Sequence, residues 1–200
     1  MGTGLSDILR QKFANIGVKV EANSLSEKEF EPDHYDLLVE TYDALVELKR
    51  KGFPIPGILQ PLPDVEKGNG SFNTHGHTRG TLSMGVKGKM VYTPGTVDWS
   101  IRGAVIHECG HLYHWINNKT FYENTPKELK YYLDDDDLQV YAPVKAREIV
   151  REVSAYASTN AKEFVAEVFT GHFNGKRYSE KIMTLFHIWC YAQWNSGKKI

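Results

Sequence analysis

The chain has 200 residues, with 24 Lys or Arg against 25 Asp or Glu and a net charge of −1. That balance offers no bulk field to draw it to nucleic acid or anionic lipid, so neither is expected as a partner. At 41% hydrophobic and 12% aromatic content the chain is neither disordered nor membrane-embedded, and its length suits one domain, expected over 1–200, with a real core.

The opening MGTGLSDILRQKF has no apolar stretch or small-residue cleavage site of a secretory signal. No apolar run approaches the ~18 residues of a membrane span, so the expectation is a cytoplasmic chain or one exported without a conventional signal. From Ser6 to Ile16, Ile8, Leu9, Phe13 and Ile16 recur at helical spacing, which predicts a short helix ended by Gly17. Val18–Val20 reads as extended, and Asp33 then caps a longer amphipathic helix through Leu37, Leu38, Tyr42, Leu45, Val46 and Leu48 to a stop at Gly52. Residues 53–70 begin FPIPGILQPLPD, which holds four of the eight prolines, and are expected as an irregular surface loop.

Over 71–95 glycines punctuate the short runs Thr81–Val86 and Lys89–Thr93, with Lys87-Gly88 as a hairpin turn, so a small antiparallel or mixed sheet is expected. The period then changes to 3.6: Val97, Ile101, Val105, Ile106, Leu112, Trp115 and Ile116 mark a long central helix through Asn117. Residues 118–142 are polar, carry the acidic run Asp134–Asp137 and allow one short helix after Thr125-Pro126, as a surface excursion or lid would. Helical patterns over Val144–Tyr156, Asn160–His172 and Ser179–Trp194 close the chain. The fold class read from this order is α+β, mostly helical, with the small sheet ahead of the motif helix.

Inside the central helix, His107-Glu108-Cys109-Gly110-His111 is an HExxH motif. A step of four residues returns to within ~40° of the same face, so both imidazoles project together, ~6 Å apart, and can converge on one metal ion. Glu108, one step on, can reach a water on the metal rather than the metal itself, take its proton as it attacks a carbonyl, and return that proton to the leaving amine. The bland alternative is a solvated helix face. Mid-helix Gly110, which costs ~1 kcal/mol relative to Ala, and the apolar flanks of the motif argue for an inward-facing site.

A catalytic zinc needs a third protein ligand and an open fourth position. The metzincin pattern is excluded, because His114 and Asn117 stand where its glycine and third histidine would be. The candidates downstream are Glu123, Glu128, Glu148, Glu152, Glu163, Glu167 and Glu180, of which the pair Glu163 and Glu167 is best placed on an apolar helix face. One of the two would bind metal and the other could orient a ligand imidazole.

The run from Tyr156 through Thr159-Asn160, Glu163-Phe164 and Ala166-Glu167 to Phe169 resembles the Y-x-x-T-N-x-x-E-[FY]-x-A-E-x-[FY] segment of the anthrax-lethal-factor-like zinc metallopeptidases. These are gluzincin-type zincins and include the Pro-Pro endopeptidases. The resemblance implies a zincin-like metallopeptidase domain with one zinc ion per chain, held by His107, His111 and Glu163. It further implies Glu108 as the base and Tyr156 as the donor to the carbonyl oxygen as that becomes an oxyanion. Peptide or protein would be the substrate, paired along an edge strand for which Lys89–Thr93 is the candidate. The family often has Asp where this chain has His114; seven residues from His107, His114 faces the same way, as a group behind the ligands or as a fourth ligand that would close the site. Glu167 is the other candidate behind the ligands.

Other histidines are weaker candidates. His75 and His77 would share one side of a strand but lack a nearby carboxylate or cysteine to complete a site, and His172 and His187 read as structural. Asp134–Asp137 lacks the alternation and glycine of a calcium loop, and Cys109 and Cys190 need not pair. Two other functions fit the same motif: a zincin-shaped module of a phage or toxin assembly that cleaves nothing, and an amidase acting on a non-peptide bond.

Overall fold

In a computed structural model the chain is described for residues 5–21, 32–67, 69–75, 77–87, 95–124 and 146–191. It is α+β and divides into two compact units, Met1–Thr93 with Trp99–Leu112, and Pro94–Asp98 with Tyr113–Ile200.

In the first unit, α1 (Leu5–Asn15) and α2 (Pro32–Arg50) fall where the apolar spacing puts them. Proline occupies the first position of α2, where its missing N–H costs nothing, so Asp33 lies inside the first turn and not at the cap. Gly52 supplies the positive φ of +84° that ends the helix. The two helices meet through Phe13 and Tyr42, edge to face at 5.4 Å, with Leu9, Leu37, Leu38, Leu45 and Leu48 buried.

The sheet is larger and more parallel than its sequence suggests. Strands β1 (Lys19–Val20), β2 (Ile58–Glu66), β3 (Gly70–Asn73) and β4 (Thr81–Lys87) lie in the order β1-β2-β4-β3. The pairs β1–β2 and β2–β4 are parallel, and only β3–β4 is antiparallel, with Gly70 opposite Met84 and Asn73 opposite Thr81. The antiparallel expectation therefore holds for that one pair, and the loop expected over 53–70 is largely a strand.

Backbone polarity explains how β2 tolerates its prolines. The Lys19 and Glu21 amides donate to the Gly57 and Leu59 carbonyls, so odd-numbered backbone groups of β2 face β1. Pro61 falls on that side beyond the end of β1, and Pro63 falls in the register shift between Leu62 and Glu66. No ladder bond to β4 is lost. In β4 every residue from Leu82 to Val86 is buried, as expected for a strand covered on both faces. The strand Lys89–Thr93 and the turn at Gly88 lie outside the described residues, as do Asp134–Asp137 and the helix expected after Pro126.

Helix α3 (Ile101–Asn117) starts later than Val97 because Ser100 caps it: its hydroxyl accepts from the Gly103 N–H at 2.9 Å, and its carbonyl from the Ala104 N–H. Arg102 then reaches Glu47 of α2 at 2.7 Å.

The second unit holds the end of α3, α4 (Lys119–Asn124), α5 (Ala146–Val153), a single 3-10 turn (Tyr156–Ser158), α6 (Ala161–Phe173) and α7 (Glu180–Cys190). Asn160 caps α6 by accepting from the Lys162 and Glu163 amides. Trp189 is buried at the centre, edge to face with Phe164 at 5.0 Å and stacked on Phe121. Among the described residues no helix is long and apolar enough to cross a membrane.

Candidate metal centre

Every residue of α3 from Val105 to Leu112 is buried, so the solvated-face alternative for the motif is excluded. His107, Glu108 and His111 are 7–8% exposed, and one ligand atom from each lies within 4.8 Å of the others. The two imidazoles stand nearly perpendicular, with ring centres 4.9 Å apart, on the face that the four-residue helical step gives them. Among the described residues this is the one group of three or more His, Cys, Asp or Glu able to share an ion.

The surroundings fit a cation. Two buried imidazoles are nitrogen donors that zinc takes, and the carboxylate beside them is an anionic group that a bound cation favours. On β3, a Cβ at Gly70 would come 3.1 Å from Glu108 Cγ and 3.1 Å from Met84 Sδ. The missing side chain leaves the glutamate the space that a Cβ on β3 would crowd. Sequence reading did not single out Gly70, because its meeting with Glu108 arises from sheet register and not from local spacing.

Cys109, between the two histidines, is free and buried; burial, then the Glu108 charge, pushes its thiol far above its ordinary range. It is therefore a packed thiol and not a nucleophile. Cys190 is also free and buried, its thiol pushed up to about 12 by burial.

The remaining candidates lie in the second unit. His114 is completely buried; its Nε2 meets the Trp189 carbonyl at 3.0 Å, and its ring packs on Phe121 and Tyr122. Those contacts give it a place in the core of that unit. Glu163 is half-buried in the first turn of α6. Glu167, 1% exposed, accepts on Oε2 from the Val97 N–H at 2.7 Å and the Ser154 hydroxyl at 2.8 Å. Tyr156, expected at the end of a helix, sits half-buried in the 3-10 turn, its N–H donating to the Gly95 carbonyl.

His75 and His77 do not stand on a strand, since β3 ends at Asn73. His75 Nδ1 is 2.7 Å from Asn73 Oδ1, while His77 Nδ1 accepts from the Arg79 N–H and its ring covers Gly57. Both rings serve the β3–β4 connection.

Comparison of the chain with protein-family models, with curated proteins and with solved structures gave no match.

Proposed function

We propose that this chain is a zincin-like, zinc-dependent metalloendopeptidase. The observation that carries the reading is the buried convergence of His107, Glu108 and His111, with Gly70 of β3 so near that a Cβ there would come 3.1 Å from Glu108 Cγ. His107 and His111 would hold the ion, with Glu163 as the third ligand that the sequence resemblance implies. Zinc supplies Lewis acidity, which brings the pKa of a coordinated water toward neutrality and polarises a carbonyl.

The chain's own residues do the rest. Glu108 accepts a proton on its carboxylate from the attacking water and returns it to the departing amine nitrogen, while Tyr156 donates its phenol hydrogen to the developing oxyanion. The substrate is an extended peptide. Among the described strands β3 is the sheet edge beside Glu108, so its backbone is the natural partner for a peptide laid along it by strand addition.

Metal analysis combined with a peptide-library digest, read by mass spectrometry with and without chelator, tests the reading. The parent should carry one zinc ion and cleave peptides. Glu108→Gln should keep the zinc and lose turnover by about a hundredfold or more, whereas Glu163→Ala should lose zinc. Zinc content unaffected by Glu163→Ala, or full proteolysis by Glu108→Gln, would end it. A zinc-loaded parent that cleaves nothing would leave the non-catalytic module.

A further inference from the structure

We propose that Glu167 is a positioning residue for Tyr156, fixing through one buried carboxylate oxygen the backbone that carries the phenol. The inference rests on the catalytic reading of Tyr156 but is drawn from a different set of atoms. A three-residue 3-10 turn is poorly held by its own bonds. Within this one, the Ser158 N–H reaches the Ala155 carbonyl at 3.2 Å and the Thr159 N–H the Tyr156 carbonyl at 3.0 Å. Two further bonds come from outside the turn: the Tyr156 N–H donates to the Gly95 carbonyl at 3.0 Å, and the Ala157 N–H to the Ser154 hydroxyl oxygen at 2.9 Å.

Both anchors lead to Glu167. The Ser154 hydroxyl spends its hydrogen on Glu167 Oε2, which turns its lone pairs toward the Ala157 N–H. The same Oε2 takes the Val97 N–H, two residues beyond Gly95, and so holds the strand of chain that accepts from Tyr156. Gly95, at φ +84°, lets the two segments close up, since a Cβ there would lie 2.8 Å from Ala155 Cβ. A carboxylate oxygen suits the task because the Val97 N–H and the Ser154 hydroxyl are both donors. The resulting chain of contacts runs from α6 to Ser154 and Val97, and from these to the amides of Ala157 and Tyr156.

Amide hydrogen exchange on the full-length, zinc-loaded chain tests the strut, and kinetics test what it does. In Glu167→Gln and in Ser154→Ala, exchange at Val97 or Ala157 should speed up by about tenfold or more. The α6 amides of Val168 and Phe169 and the zinc content should not change. In both variants kcat should fall with KM held, and Ser154→Ala combined with Tyr156→Phe should turn over no more slowly than Tyr156→Phe alone. Unchanged exchange at Ala157 in Ser154→Ala overturns the strut; a double variant slowed by the full product of the single effects overturns the positioning role. A Tyr156→Phe protein that turns over like the parent removes the premise, and the exchange rates identify that failure as separate from the strut's.

Discussion

Glu108 occupies space that a side chain at position 70 would claim. With an added methyl 3.1 Å from both Glu108 Cγ and Met84 Sδ, the glutamate or the thioether must give by a few tenths of an ångström. Gly70→Ala should therefore slow peptide turnover by about tenfold through displacement of the base, with zinc content unchanged; a variant as active as the parent would show that Met84 gives instead. Thiol chemistry offers a second check at this scale. Buried and protonated, Cys109 and Cys190 should resist alkylation in the folded chain at mildly alkaline pH and react once it is denatured. The histidines and glutamate of the motif were legible in the sequence because their meeting depends only on helical spacing. Gly70 was not, because nothing local to residues 69–75 encodes what lies against them.

At the scale of elements, helices were easier to read than the sheet. Amphipathic spacing located α1, α2, α6 and α7 to within a few residues, and what it missed was set by caps. Ser100 begins α3 four residues after the first apolar position that fits its period, and Asn160 begins α6. Asn160 satisfies two amides at once, so Asn160→Ala should lower stability by about 1 kcal/mol in a urea titration; no loss would mean that water replaces the cap. The prolines of β2 misled because proline is a poor strand residue on average, while its actual cost depends on which edge its nitrogen faces. That direction follows from pairing with β1 and β4, residues far away in sequence. The motif helix needed no such partner to be seen, but the strand beside it did.

For the molecule as a whole, metal and acid are the levers that the described groups provide. Zinc at a thousand times its dissociation constant would stabilise the fold by about 4 kcal/mol, or about 10 °C in melting temperature. His111→Ala should abolish that rise, and a rise that survives it would place the ion elsewhere. Among the described groups, acid should act at His187 and at Glu47. Burial holds His187 below its ordinary 6.5, so as pH falls through 6.5 the unfolded chain takes up the proton first, and stability drops until the lowered folded value is passed. Glu47 is held below 4.5, first by its hydrogen bond from Arg102 and then by that from Lys51. Its contribution is full above 4.5 and is lost as pH falls through the lower folded value. Denaturant titrations across this range should therefore show His187→Gln flattening the upper limb and Glu47→Gln the lower; a His187→Gln chain that follows the parent through the upper limb would contradict burial as the cause.

The strand order also fixes a sequence of events during synthesis. Strand β2 waits for β4 before most of its backbone is paired, so a nascent chain ending before Thr81 holds only the two-residue pairing with β1. Strands β3 and β4 then leave the ribosome ahead of residue 101, where α3 begins. Domains generally fold as units, the N-terminal one first. The strands around Gly70 thus emerge ahead of Glu108, and the glutamate joins them with the last segment of the same unit to appear.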